Sequence, residues 1–235
     1  MFTKWRPAAA FLALAILASG LTGCGNEPQQ RQAFIEFLQR RIVNRPGLHI
    51  PIMSETDVKS FGPYADQYRI MSSFHHQVDA TVEQDLARAM QIGTPTSLDQ
   101  LANKRALFPL VRQSMAKFKT ETEAALAKAD AAHAALKQPP DLKAVYDAAY
   151  DKMVTKPAAV FSEIAPLIDG ALRPLEELAN YLDQNRSVID YRDGVPTSKD
   201  TLVNGRLVSL IDATAVSAKA SVEGKRKLRA MIEGH

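Results

Sequence analysis

Cysteine is almost absent: the 235-residue chain has one, Cys24. A lone thiol excludes an internal disulfide and the paired CxxC ligands of structural zinc sites. Long apolar runs are scarce too. Residues 8–18 (AAAFLALAILA) are too few to cross a hydrocarbon core of about 30 Å as a helix, and no run of about 18 apolar residues follows. A surplus of one charge is also missing. The formal net charge is +3, and Lys4 and Arg6 account for two of those charges, so the remainder is close to neutral and argues against nucleic acid as a partner. HExxH, GxSxG, GxGxxG and the Gly-rich phosphate loop do not occur. No cofactor is expected. Hydrophobic residues at 46% and charged residues at 23% are values of an ordinary globule.

What is there begins with Lys4 and Arg6, the apolar run, and then Leu21-Thr22-Gly23-Cys24. A charged start and a short apolar stretch read as a secretory signal rather than a structural helix. LTGC resembles the lipobox of bacterial lipoproteins. The resemblance implies cleavage between Gly23 and Cys24 and acylation of Cys24. Two or three acyl chains hold a protein on a membrane firmly where one holds it marginally. The expected organisation is a lipoprotein signal peptide over 1–23, a lipidated tether over 24–30 and one helical domain over 31–235. Helix signals begin near Gln29, so about five free residues reach roughly 17 Å and keep the domain against the membrane.

Along the domain, apolar residues recur at helical spacing. Phe34, Phe37, Leu38 and Ile42 mark a first helix that Arg45-Pro46-Gly47 stops. Ser54 with Asp57 opens a short helix to Phe61. Tyr64, Tyr68, Met71, His75, Val78, Val82, Leu86 and Ala89 predict a helix from about Pro63 to Gln91. Phe108, Val111, Met115, Phe118, Thr122, Ala125, Ala129, Ala132 and Leu136 alternate at three and four without a slip, a seam for antiparallel neighbours. Asp141 is expected to cap a shorter helix through Leu142, Val145, Tyr146, Ala149 and Met153. Pro157 opens the next, with kinks or a split at Pro166 and Pro174. Asp193-Gly194 predicts one small hairpin. A last helix from Thr197 to about Ile232 uses Leu202, Leu207, Leu210, Ile211, Thr214 and Val222, with Asn204-Gly205 as a point of bending or delay. The predicted class is all-α, an antiparallel bundle of long helices with one β-hairpin near the C-terminal end.

Three stretches, QRQAFIEFLQ, FGPYADQY and ADAAHAALKQPPDLKAVYDAAYDKMVTKPA, resemble the YiaF-like lipoproteins of enterobacteria, a domain of unknown function. The resemblance implies a mainly helical lipoprotein facing the periplasm and carries over no catalytic residues. Gly25 after the lipidated cysteine implies the outer membrane rather than the inner, since Asp at that position retains enterobacterial lipoproteins inside.

Candidate chemistry is sparse. His75 and Asp79 are i and i+4 on one helix face, but a metal site needs at least a third ligand, and His75 lies on the apolar stripe, where a packed, hydrogen-bonded role is expected. His133 is placed to meet Asp130 or a group on a neighbouring helix. Glu176-Glu177 and Asp147 with Asp151 are close carboxylates of the kind helix surfaces carry. Lys225, Arg226, Lys227 and Arg229 form a basic cluster suited to a helix C-terminus or to anionic lipid. The expected function is a non-enzymatic envelope protein acting through protein contact, held at the membrane through Cys24. The alternative is a module binding a small ligand or lipid in a groove near Pro166 and Pro174.

Overall fold

The computed structural model describes residues 26–81, 83 and 97–234. The signal and lipobox residues Leu21, Thr22, Gly23 and Cys24 lie outside them, as do Val82, Leu86, Ala89 and Gly93-Thr94-Pro95. The protein is an all-α bundle with a small antiparallel hairpin near its C-terminal end.

Helix α1 (Glu27–Leu38) begins earlier than the spacing predicts, because Pro28 sits in the first turn, where a missing N–H costs nothing. It takes up residues 27–30 that were read as tether. A π turn, Gln39–Val43, ends it, and Phe34, Phe37, Leu38 and Ile42 are all buried as expected. Helix α2 (Glu55–Phe61) carries the predicted capping box: Ser54 Oγ accepts from the Asp57 N–H at 3.1 Å, and Asp57 Oδ2 accepts from the Ser54 N–H at 2.8 Å. Gly62 turns the chain at φ 54°, with the Gln30 side chain filling the place of a Cβ. In α3 (Tyr64–Thr81) the stripe Tyr64, Tyr68, Met71, His75 and Val78 is buried.

Helix α4 (Leu98–Asn103) was not predicted. Its signal is Ser97, whose Oγ accepts from the Gln100 N–H at 3.2 Å, followed by Leu98 and Leu101. Helix α5 (Phe108–Ala134) has Pro109 in its first turn and buries the seam from Phe108 to Ala129. It packs against α3, and just past its C-terminal end Gln138 donates to Gln67 near the start of α3 at 2.7 Å, so the two helices run antiparallel.

Helix α6 (Pro140–Tyr150) corrects two expectations. Its cap is Pro139 rather than Asp141, which instead lies in the first turn and pairs with Arg31 at 3.4 Å. It also does not end: the π turn Asp151–Thr155 leads directly into α7 (Lys156–Gln184). Pro157 has no N–H to give the Met153 carbonyl four residues back. His75 Nε2 lies 2.5 Å from that carbonyl oxygen and supplies the missing donor. Helix α7 then runs unbroken through Pro166 and Pro174, so the expected split does not occur. The carbonyls those prolines free belong to Ser162 and Gly170, both exposed residues, where water is available to replace the lost donor. Helix α7 is antiparallel to α5, with Phe118 on Phe161 and Arg112 on Asp169.

Strands β1 (Ile189–Arg192) and β2 (Val195–Ser198) pair with Arg192 opposite Val195. Asp193 at φ 52° and Gly194 at φ 80° make the turn that their sequence predicts. Helix α8 (Thr201–Glu233) starts after Asp200, whose Oδ1 accepts from the Leu202 and Val203 N–H groups, and continues straight through Asn204-Gly205. Leu207 and Leu210 are buried as expected, but Leu202 is 85% and Val222 67% exposed. The inward row is set by α7: the Val203 carbonyl accepts from Tyr181 Oη, and a Cβ on Gly224 would meet Ile164 Cγ2 at 3.6 Å. Residues 202 and 222 are rotated off that row. At the far end, Leu48 N–H donates to the Met231 carbonyl, and a Cβ on Gly47 would come within 2.1 Å of the Ile232 carbonyl oxygen.

Two apolar clusters result. One is rich in aromatics and lies among α1, α2, α3, α5, α6 and the first half of α7. The other, smaller and leucine-rich, joins α4, α7, the hairpin and α8, and Leu172 packs against both.

Candidate functional site

His75 is 4% exposed, and burial holds its imidazole below the ordinary 6.5. A carbonyl partner requires the Nε2–H tautomer, so that nitrogen is occupied in joining α3 to the π turn. Asp79 is exposed. Among the described residues no group of three or more His, Cys, Asp or Glu side chains converges on a metal position. The structure therefore does not assemble a site from His75 and Asp79.

His133 finds its partner on α6 rather than at Asp130. Its Nε2 lies 2.8 Å from Asp147 Oδ1, which also receives Lys143 through Oδ2, and its ring packs 4.1 Å from that of Tyr150. Asp130 is taken by Tyr150 Oη at 2.7 Å. Burial and then the Asp130 carboxylate push the Tyr150 phenol upward. Burial is the largest single influence on Asp147 and raises its carboxyl, but Lys143 and His133 together outweigh it and hold it below the ordinary value. These contacts fasten the α5–α6 corner. The paired carboxylates separate into ion pairs of their own: Asp151 with Lys156, Glu176 with Arg112.

The basic cluster is largely matched by carboxylates. Arg226 makes a two-pronged contact with Glu223 at 2.8 and 2.7 Å, Lys227 reaches Glu163, and Arg229 lies 3.8 Å from Glu233. Lys225 is exposed. Arg226 and Lys227 also line a broad groove of about 790 Å³ with Lys152 and Lys156. Lys152 is spent within the fold, donating to the carbonyls of Ile42, Val43 and Arg45 at the end of the first π turn. This cluster sits beside the turn that follows α1, about 24 Å along the helix from Glu27 at roughly 1.5 Å per residue.

The feature with the character of a binding site lies between α5 and α7. A cleft of about 380 Å³ is lined by Phe118, Thr122, Leu126, Ala158 and Phe161 and, among exposed residues, by Lys119, Glu123, Thr155, Ala159 and Ser162. Small residues, Thr122 on α5 with Ala158 and Ala159 on α7, share its lining with the larger Phe118, Phe161 and Leu126. Phe118 and Phe161 meet edge to face at 5.7 Å and close one end. On α7 its lining ends at Ser162, about one turn before Pro166 and well short of Pro174, so it falls near the first of the two prolines named from the sequence. Thr122 was placed on the seam only as core. Its signal was a lone hydroxyl in an otherwise apolar row.

The model of DUF3053, described as a protein of unknown function, matches residues 11–228. The chain belongs to the DUF3053 family. The curated relatives of this DUF3053 protein include the uncharacterized protein YiaF of Escherichia coli, 28% identical over 207 residues, covering 86% of this chain and 87% of that one. YiaF of Shigella flexneri matches to the same extent. No solved structure matches the chain. The family membership agrees with the resemblance read from the three stretches and assigns no chemistry to any residue.

Proposed function

We propose that this protein is a lipid-anchored envelope protein, facing the periplasm, whose helical domain works by binding a small, mostly apolar ligand rather than by catalysis. The observation that carries the binding reading is the α5/α7 cleft. Its volume falls within the range of small-molecule pockets, and its buried and half-buried lining, Phe118, Leu126, Ala158 and Phe161, is apolar except for Thr122, while Lys119, Glu123, Thr155 and Ser162 are exposed. The anchor reading rests on Lys4, Arg6, the apolar run and LTGC in that order. Because α1 begins at Glu27, only Gly25 and Asn26 separate it from Cys24. The end of the bundle made by the start of α1, the Gly62 turn and the α5–α6 corner is then the end nearest the bilayer. Gly25 favours the outer membrane. Intact-mass analysis tests the anchor: a diacylglyceryl adduct on Cys24 is expected, and an unmodified Cys24 in a periplasmic extract refutes it. Ligand titration of the cleft, described below, tests the binding.

Contact with an envelope protein is the second reading, and it draws on the outward stripe of α8, where Val208 and Val222 stand exposed. In-cell crosslinking from Val208 or Val222, with the Cys24→Ser form as control, is expected to trap a specific partner under this reading. Contact of Lys225, Arg226, Lys227 and Arg229 with anionic lipid requires α1 to lie along the membrane, since the cluster is at its far end. Changing all four to Gln and measuring vesicle binding tests that orientation; unchanged binding removes it.

A further inference from the structure

We infer that the ligand of the α5/α7 cleft is a neutral, largely apolar molecule of about a dozen heavy atoms carrying one hydroxyl or carbonyl, and that Thr122 is the residue that recognises it. This rests on the reading of the cleft as a binding site.

Thr122 is 5% exposed, and its Oγ1 is buried without a hydrogen-bond partner among the described residues. Helical threonines ordinarily donate to the carbonyl four residues back. Thr120, two residues earlier on α5, does so to Ala116 at 3.2 Å, and Thr81 on α3 does so to Gln77 at 2.9 Å. Thr122 makes no such bond to Phe118, although it stands on the same helix, and it lines the cleft. The other buried polar side chains, His75 and Thr81, have partners. A hydroxyl left buried and unpaired is costly, and in native structures such a group calls for a specific explanation. A polar atom of a ligand provides one once Thr122, which lines the cleft, turns about χ1 to its other helical rotamer and presents the hydroxyl. Threonine both donates and accepts, so a hydroxyl or a carbonyl satisfies it.

Size and charge narrow the class. The cavity of about 380 Å³ is between two and three times the roughly 150 Å³ cavity that admits benzene, which leads to the dozen heavy atoms. The ionic groups on its lining, Lys119 and Glu123, neutralise each other at 2.9 Å on the exposed rim. No unpaired charge faces an ionised ligand, and an ion in this apolar space would lose its hydration without compensation. The aromatic end formed by Phe118 and Phe161 favours a ring there by edge and face contacts.

The test uses para-butylphenol, butylbenzene and para-butylbenzoate as probes, titrated into the full chain bearing Cys24→Ser and followed by methyl NMR of Thr122, Leu126 and Ala158. Para-butylphenol is expected to move these methyls and to bind at least about tenfold more tightly than the benzoate. Thr122→Val should weaken the phenol about tenfold, the loss of one hydrogen bond, and leave butylbenzene unchanged. Ala158→Leu should abolish binding of both, and Ala159→Leu at the exposed rim serves where the buried variant does not fold. Phenol affinity unchanged in Thr122→Val overturns the role of Thr122 while the cleft still binds. Benzoate binding equal to the phenol overturns neutrality. Binding insensitive to the filling variants, or no binding of either neutral probe, overturns the cleft itself.

Discussion

The aromatic core under α1 and the α5/α7 interface are both buried helix contacts, and they are finished to different standards. In the aromatic core every polar tip has a partner. Tyr68 Oη donates to the Pro51 carbonyl, Tyr146 Oη to the Gln67 carbonyl at 2.7 Å, Tyr64 to Glu27, and His75 to Met153. Burial and the Glu27 carboxylate push the Tyr64 phenol up to about 12, so it stays a donor at all physiological pH. Phe34 stands at the centre, with the rings of Phe61, Tyr64 and Tyr146 within 6.4 Å. At the α5/α7 interface, small residues leave a cleft and one hydroxyl has no partner. One region is built to be shut, the other has room and an unmet hydrogen bond. That contrast is what binding sites show when function competes with packing.

The contrast is tested most severely by Phe34→Ala. Loss of a fully buried ring should cost about 3–5 kcal/mol in urea unfolding, while Phe161→Ala, at the half-buried edge of the cleft, should cost much less. Equal costs would erase the distinction. Next, Tyr68→Phe keeps the ring but strands the buried Pro51 carbonyl, an expected loss of about 1–3 kcal/mol. A neutral outcome would mean that water reaches the carbonyl. The third test is acid. Burial holds folded His75 below 6.5, only partly offset by the Met153 carbonyl and Asp79. The unfolded chain therefore binds this proton first. The His75 contribution is complete above pH 6.5 and falls as pH drops toward the depressed folded value, with a limiting slope of about 1.4 kcal/mol per pH unit. His75→Asn should flatten that part of the stability profile; an unchanged profile would show that His75 titrates normally in the fold. The smallest effect runs the other way: Thr122→Val should raise stability by about 1 kcal/mol in the ligand-free protein. A clear loss would show that the hydroxyl is structural.

Local signals were readable where one stretch of chain contains both halves of the physics. Ser54 and Asp57 satisfy each other's N–H groups within four residues, and Asp193-Gly194 accepts the positive φ that its turn demands. The seam from Phe108 to Ala129 was legible because a helix repeats its buried face at three and four. What failed depended on distant chain. Pro157 reads as a helix boundary, yet the rod continues because His75, far away on α3, takes over the orphaned Met153 carbonyl. Leu202 and Val222 read as core, but α7 selects the neighbouring row of α8. The cleft was invisible for the same reason. Thr122 and Ala158 are ordinary small residues until two helices set them face to face.

By itself, the sequence determined the helical class, the cap at Ser54, the turn at Asp193-Gly194, the family and the expectation of an anchor at Cys24, because each is written in contiguous residues and in spacings set by helix geometry. Tertiary structure decided which carbonyls are rescued, which face of α8 is buried, how far the basic cluster lies from the start of α1, and that a gap remains between α5 and α7. Those outcomes depend on how large and small side chains meet across helices, and that is a property of the packed molecule.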